Sequence, residues 1–272
     1  MKNINQPTDK RRPDGRVVAL EAERRTLRAL HRFGWLRTRD IAALVHTKWA
    51  PRPAAEPGLS AVVATESALR MAQRTLRRMR ESRLVLFAQG PDGSTLYALA
   101  EPGVRALRAL GIDASTGKDS MRGISGGYYR HRCVANEIAI AGIVQGLRVS
   151  TEREIAQGLW VGGEAGIAGK RPDVLWRNRE AWDWIEVQRS RPNAKDYERL
   201  LAWLRHMLAV HTRPGAQIAE GARLRKIVFV GNTAFGARLL RDLRDKRVDE
   251  SALVGLLSFS HSLYKLDPIK FC

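Results

Sequence analysis

The stretch that decides the fold is Arg171–Gln188, which reads RPDVLWRNREAWDWIEVQ. Apolar and polar residues alternate in both halves of this stretch, and residues 178–181 form a polar break, which predicts a β-hairpin. Successive side chains of a strand point to opposite faces. A loop of even length therefore puts Asp173 on one face with four residues of the second strand, Trp182, Trp184, Glu186 and Gln188. Ile185 and Val187 then point to the opposite, buried face.

The two carboxylates of this hairpin, Asp173 and Glu186, favour a divalent metal ion as their neighbour. Carboxylates held side by side repel each other unless a cation neutralises them, and Mg²⁺ prefers hard oxygen ligands. A simpler alternative stays open, in which Pro172-Asp173 is a turn and Glu186 is a solvated residue on an edge strand. A short motif by itself does not decide between these alternatives.

Charge and composition point to a polyanionic partner. The 272 residues include 47 Lys and Arg against 28 Asp and Glu, a formal net charge of +19, and such an excess favours nucleic acid. A ribosomal, acidic-protein or membrane-surface partner is the weaker alternative. Neither an apolar run of membrane-spanning length nor a secretory signal is evident, so we expect a cytoplasmic protein. Cys133 and Cys272 lack the spacing of a zinc site.

The first half of the chain predicts a winged helix-turn-helix domain. Residues 1–16 are expected to be a disordered basic arm, and residues 17–111 the DNA-binding domain. Three helices are expected near 20–33, 38–45 and 65–83, with Thr38 capping the second and a loop at 47–64 that the pattern does not explain. Two strands joined by Gly90-Pro-Asp-Gly93 follow, and this order is that of a winged helix, whose third helix enters the major groove.

The third predicted helix has an arginine-rich face opposite its apolar face. Its apolar face is expected to comprise Ala68, Met71, Ala72, Leu76 and Met79. Its predicted DNA-binding residues are Arg70, Gln73, Arg74, Arg77 and Arg78, to which the basic pair Lys170 and Arg171 is added near the hairpin. Basic helix faces are often only solvated surfaces, but the hairpin that follows favours DNA binding here.

The second half predicts an α/β sandwich. Residues 112–127 are expected to be a linker and residues 128–272 a second domain. Its predicted strands are 148–155, the two halves of the hairpin, 226–231 and 253–259, with helices between them. His131 is expected to cap or pack rather than act as a general base, and Glu152 and Glu154 to form surface ion pairs. Trp176, Trp182 and Trp184 are expected to pack rather than to stack on bases.

This second domain resembles the PD-(D/E)xK nuclease superfamily. The matching residues are Glu137 on a helix, Pro172-Asp173 on one strand, and Glu186 with Gln188 on the next. More narrowly, the winged helix followed by YYRHRCVANEIA, STEREI, KRPDVLW and IEVQRSRPNAKDYERLL is similar to plasmid replication-relaxation proteins of mobile elements. The resemblance implies a restriction-endonuclease-like α/β/α domain.

The resemblance also implies the chemistry of the site. Asp173, Glu186 and Glu137 would hold Mg²⁺ or Mn²⁺, and Gln188 would occupy the position of the superfamily's lysine. A bound metal ion would lower the pKa of a water molecule and polarise the scissile phosphate. Glutamine carries no positive charge, so Lys170, Arg189 or Lys195 would have to supply it.

Three functions follow as hypotheses. The first is a two-domain, metal-dependent DNA endonuclease or nickase of a plasmid or other mobile element, acting in replication, mobilisation or transposition. The second is a catalytically idle DNA-binding accessory or regulatory protein that keeps the nuclease fold as a scaffold. The third is a basic protein that docks to a transposition or transfer complex. Double-stranded DNA is the expected partner, and a homodimer and protein partners stay open.

Overall fold

The structure, a computed structural model, describes residues 14–53, 55–122, 124–179, 181–188, 193–213, 215, 217–219 and 223–261. Helix α1 (Gly15–Phe33) begins earlier than predicted, because the side chain of Asp14 accepts a hydrogen bond from the Arg16 N–H. Residues 14–16 of the expected arm therefore belong to a capped helix, and residues 1–13 lie outside the described residues. Gly34 ends the helix with a φ of 77°, a conformation that glycine adopts most readily.

Six elements follow α1 in the first half of the chain. They are β1 (Trp35–Arg37), α2 (Thr38–Val45), α3 (Glu66–Glu81), β2 (Val85–Gln89), β3 (Thr95–Leu99) and α4 (Glu101–Arg108). The three strands form an antiparallel sheet in the order β1-β3-β2. Strand β1 was not predicted, because three residues are too few to show alternation.

Two local predictions in this half were wrong. Arg37, not Thr38, is the residue that precedes α2, and the Asp40 carboxylate accepts hydrogen bonds from both the Arg37 backbone and its guanidinium. Met71 was expected to be buried, yet 37% of it is exposed. Thr75 is buried instead on the inner face of α3.

The loop at 47–64 packs against the second half of the chain. The Ala50 N–H donates to the Val144 carbonyl over 2.7 Å, and the Gln145 side chain exchanges two hydrogen bonds with the backbone of Gly58. Arg225 donates to the Ala55 carbonyl. The loop is therefore held against the second half.

The segment expected to be a linker is packed along part of its length. It contains a short helix, α5 (Lys118–Arg122), and the Gly117 N–H donates to the Leu99 carbonyl of β3. A Cβ atom on Gly117 would lie 2.4 Å from the Cβ of Ala98, so only glycine allows the chain to approach the sheet this closely.

Ten elements form the remainder. They are α6 (Gly126–Val144), β4 (Arg148–Ser150), α7 (Glu152–Ala156), β5 (Val174–Asn178), β6 (Ala181–Val187), α8 (Ala194–His211), β7 (Arg223–Val230), α9 (Thr233–Asp245), α10 (Glu250–Leu256) and β8 (Leu257–Ser260). The strands form one sheet in the order β4-β5-β6-β7-β8. Strands β4, β5 and β6 are antiparallel, whereas β6, β7 and β8 are parallel.

The predicted hairpin and central strand are confirmed, but two predicted strands were too long. Asn178 pairs with Ala181, which gives the even loop, and β7 lies between β6 and β8. The first strand stops at Ser150 because Thr151 and Glu154 form a capping box that starts α7. Residues 250–256 are helical, and only the last part of the predicted strand at 253–259 is β8.

Both faces of the five-stranded sheet are covered. Val174, Trp176, Ile185 and Val187 share a core with α6 and with helices of the first half. On the other face, Leu175, Trp182 and Trp184 pack under α8, α9 and α10. The three tryptophans are at most 3% exposed, so they pack as expected. The chain is thus a mixed α+β protein, and within its described residues no helix is long and apolar enough to cross a bilayer.

Candidate active site and nucleic-acid interface

Asp173 lies at the open end of the hairpin, just before the first registered pair of β5 and β6, Val174 and Ile185. Its backbone N–H donates to the Ile185 carbonyl over 3.0 Å, and its Oδ2 accepts the Val187 N–H over 2.7 Å. The carboxylate thus takes the place of a backbone acceptor and is fixed at the start of β5. Its side chain keeps 23% exposure.

Glu186 is almost fully buried on the α8 face of the same hairpin. Its Oε1 accepts the Trp184 indole N–H over 2.5 Å, and its Oε2 lies 2.7 Å from the Lys170 ammonium. Burial raises the pKa of Glu186 to about 7, with a further contribution from the charge of Asp173, and the charge of Lys170 opposes this rise. The Glu186 carboxyl group therefore binds a proton more strongly than an exposed glutamate does.

His131 of α6 contacts the other carboxylate. Its Nε2 lies 3.2 Å from Asp173 Oδ1 and 3.7 Å from Glu152 Oε2. Burial by itself lowers the pKa of His131, but the hydrogen bond to Asp173 and the charges of Asp173 and Glu152 raise it above its ordinary value. The imidazolium form is thus stabilised between two carboxylates. These ion pairs go beyond the capping or packing contacts that were expected for His131.

Glu152 is not the surface residue that the sequence suggested. Its Oε1 lies 3.3 Å from the Arg132 guanidinium, and its Oε2 is buried without a hydrogen-bond partner. A buried carboxylate needs a nearby positive charge, and the Arg132 guanidinium and the His131 imidazolium provide it here. One feature of the sequence indicates that Glu152 is held in place, since it directly follows Thr151, the residue that caps α7.

Glu137 lies in a different cluster from Asp173 and Glu186. Its Oε1 accepts hydrogen bonds from Arg37 over 2.8 Å and from Arg39 over 2.5 Å. The prediction that Glu137 acts as a third metal ligand therefore has no support in its contacts. The docking of β1 and α2 on α6 supplies both arginines, and the sequence gave no indication of that docking.

Of the three predicted metal ligands, two are placed where they could hold a divalent cation. Asp173 and Glu186 offer hard oxygen atoms at one end of the hairpin, as a divalent cation requires. Within the described residues, no group of three His, Cys, Asp or Glu side chains could hold a metal ion. Gln188 continues the strand, with its N–H donating to the Val230 carbonyl. Of the three replacements considered for the missing lysine, Lys170 forms an ion pair with Glu186, and Arg189 lies outside the described residues.

Four of the five residues on the predicted DNA-binding face of α3 are exposed, and the fifth is partly exposed. Arg70, Gln73, Arg74 and Arg77 are exposed. Arg78 is only partly exposed, and its Nε donates to Glu23 of α1 over 2.9 Å, so it serves the packing of α3 on α1. Close by, the Arg80 guanidinium lies 3.7 Å from the ring centroid of Phe87, which is 54% exposed on β2. This cation–π pair extends the basic surface onto the hairpin.

The two basic residues near the hairpin differ in availability. Arg171 is exposed, whereas Lys170 is ion-paired with Glu186 and keeps 26% exposure of its side chain. The ion pair places Lys170 in the carboxylate cluster, and its contact with DNA stays a prediction.

No protein-family model matches this chain, and comparison with curated proteins and with solved structures finds no significant match.

Proposed function

We propose that this chain binds duplex DNA through α3 and cleaves it with a divalent metal ion, Mg²⁺ or Mn²⁺, as an endonuclease or nickase of a plasmid or other mobile element. The observation that carries the proposal is the meeting of Asp173, Glu186 and Lys170 at one end of the β5–β6 hairpin. Two carboxylates and an ammonium group are the side chains that metal-dependent phosphodiester cleavage uses.

The order of the elements supports this proposal. A helix, a strand, two helices and two strands, with the sheet order β1-β3-β2, are consistent with a winged helix whose third helix carries the arginines. The antiparallel strands β4, β5 and β6, followed by the parallel strand β7, are consistent with the restriction-endonuclease-like domain that the resemblance implies.

Asp173 and Glu186 would hold the metal ion, which would supply an activated water molecule and polarise the phosphate. The Val187 N–H fixes the orientation of Asp173, and His131 contacts its second oxygen. Lys170 would provide the positive charge near the phosphate that Gln188 cannot provide. Burial of Glu186 under α8 limits the access of bulk water to that side.

The experiment is nicking of supercoiled plasmid with Mg²⁺ or Mn²⁺, using the wild type, Asp173→Ala, Glu186→Ala and the control Glu164→Ala. Glu164 is an exposed carboxylate outside the cluster. We expect cleavage by the wild type and the control, and its loss in the other two variants. Equal cleavage by all four proteins would exclude this site as the source of activity.

The idle DNA-binding protein is the second candidate, and the existing contacts of Glu186 favour it. Both of its oxygens already have protein donors, and Glu137 is engaged elsewhere. If the wild type does not nick DNA and binds no Mn²⁺ by calorimetry, the idle scaffold is the better description.

DNA binding is tested separately with Arg74→Glu/Arg77→Glu against the control pair Arg24→Glu/Arg28→Glu. All four arginines are exposed, and the net charge changes equally. Each lost phosphate contact lowers the slope of log affinity against log salt by about 0.9, so we expect the α3 pair to lower it by about 1.8. An equal effect of both pairs on duplex affinity would contradict a role for α3.

A further inference from the structure

A cleft lies beside the carboxylate cluster, between the turn at 167–170 and helix α8. Its volume is about 770 Å³, which is within the range of about 300–1,000 Å³ typical of small-ligand sites. Its walls include Ala168, Gly169, Lys170, Arg199, Trp203 and His206. Lys170 faces both this cleft and Glu186, so the cleft adjoins the candidate active site.

The turn that presents Lys170 is strained and firmly anchored. Ile167 and Lys170 exchange two backbone hydrogen bonds of 2.9 and 3.2 Å. Ala168, between them, has a φ of 51°, a left-handed conformation that is strained for a residue with a Cβ atom. The Trp203 indole N–H donates to the Ile167 carbonyl over 3.0 Å and ties the turn to α8. Strain that the surroundings maintain in this way is common at binding sites.

The side chains around the cleft suit a ligand with one anionic and one apolar end. Lys170, Arg199 and His206 contribute cationic or hydrogen-bonding groups to a lining that contains one carboxylate, Asp196, and Lys170 is also paired with Glu186 behind it. The Arg199–Asp196 pair spans 3.6 Å between two exposed side chains, so a stronger anion displaces Asp196 at little cost. Leu200 and Trp203 supply apolar lining beside these charges, with the Lys170 ammonium 5.7 Å from the centroid of the Trp203 ring.

We propose that this cleft binds a nucleotide through its phosphate, with Arg199 and Lys170 as the phosphate ligands and the base against Leu200 and Trp203. Arginine and lysine recognise phosphate oxygens well, and the cleft leaves room for the sugar and base. The nucleotide is either the 5′-phosphorylated end of a DNA strand or a free nucleoside monophosphate. This inference does not need cleavage to occur, so it can fail or hold independently of the proposed function.

The test measures binding of a thymidine hexanucleotide by fluorescence anisotropy, with EDTA present so that cleavage does not interfere. The full chain carries Arg74→Glu/Arg77→Glu, which removes the contribution of α3. We expect the 5′-phosphorylated oligonucleotide to bind about tenfold more tightly than the 5′-hydroxyl form, since one charge-assisted contact contributes about that much. Competition with thymidine monophosphate distinguishes the two sources.

Arg199→Gln and the control Arg205→Gln complete the experiment. Both arginines are exposed on α8 and lose the same charge, but only Arg199 lines the cleft. We expect Arg199→Gln to abolish the preference for the phosphorylated strand and Arg205→Gln to preserve it. Effective competition by thymidine monophosphate would identify a free nucleotide as a ligand, whereas weak competition would identify the strand end. Equal binding of the two oligonucleotides, or equal loss in both variants, would overturn the inference.

Discussion

Replacing Glu137 with alanine separates a structural role from a metal-binding role. The hydrogen bond from Arg37 is formed by a guanidinium that is 1% exposed, and such a bond to a charged group contributes about 1.5–3 kcal/mol. The bond from Arg39, whose side chain is 55% exposed, contributes about 0.2–1 kcal/mol. We therefore expect Glu137→Ala to lower the free energy of unfolding by about 2–4 kcal/mol.

Thermal unfolding followed by circular dichroism measures this loss. For a chain of this size each kcal/mol shifts the melting temperature by about 2–4 °C, so we expect a decrease of about 4–16 °C. Arg39→Ala is the control and should lower the melting temperature by less than about 4 °C. The affinity for Mn²⁺, measured by calorimetry, should be the same in Glu137→Ala and the wild type.

The opposite pattern would refute the reasoning. If Glu137→Ala melts like the wild type but binds Mn²⁺ much more weakly, Glu137 is a metal ligand, as its match to the superfamily's helix glutamate implied. The contact with Arg37 would then be one of two alternative arrangements of its side chain.

Three further predictions concern the second half. Folding raises the pKa of Glu186 from 4.5 to about 7, so the native state holds a proton that the unfolded state has lost, and the free energy of unfolding falls as pH rises from about 4.5 to about 7. Glu186→Gln removes this pH dependence. The free energy of unfolding of the variant relative to the wild type, measured with urea, should therefore rise by up to about 3 kcal/mol from pH 5 to pH 8. An identical pH dependence of the two proteins would contradict the raised pKa. Arg225 is the extra residue at a bulge opposite Trp182 and Asp183, and it donates two hydrogen bonds to the buried Asp183. Arg225→Leu should lower the free energy of unfolding by about 3–5 kcal/mol. A decrease below about 1 kcal/mol would show that Asp183 finds another partner. Ala168→Gly relieves a left-handed residue and should raise the melting temperature slightly, and a decrease would show that the alanine methyl group has a packing role.

The local pattern of the sequence predicted the hairpin and the proximity of Asp173 and Glu186. A side-chain period of two and a short polar break suffice for that prediction, because both depend on residues close in sequence. Burial was harder to predict. Ile185 and Val187 were expected to be covered and the tryptophans to pack, but Glu186 is covered as well, since α8 packs on its face. A strand buried on both faces shows no polar alternation that would reveal it.

The partners of Glu137, Arg78 and Lys170 could not be predicted from the sequence. Arg37, the partner of Glu137, and Glu23, the partner of Arg78, are distant in sequence. Lys170 reaches Glu186 from a turn that contains the left-handed Ala168. A pattern of residue types states which side chains are available but not which ones meet. The same limit explains the loop at 47–64, whose contacts with Val144 and Gln145 exist only in the folded chain.

The contacts between the two halves determine where cleavage would occur relative to the bound site. Arg32 donates to the Val149 carbonyl over 2.6 Å and to Glu154, and Arg132 donates to the Phe33 carbonyl over 2.6 Å. Trp35 and Tyr129 stack with their ring centroids 5.6 Å apart, and the Tyr129 hydroxyl group hydrogen-bonds to Ser94 beside the β2–β3 turn.

These contacts hold α3 and the β5–β6 hairpin in a fixed relation, which a flexible linker would not. If α3 binds DNA, Asp173 and Glu186 must therefore meet the strand at one distance from the bound site. Mapping of nick positions on a bound duplex should give a single offset, and Tyr129→Ala with Arg132→Ala should broaden it while the affinity of α3 for DNA persists. A broad distribution with the wild type would mean that the two halves separate when DNA binds.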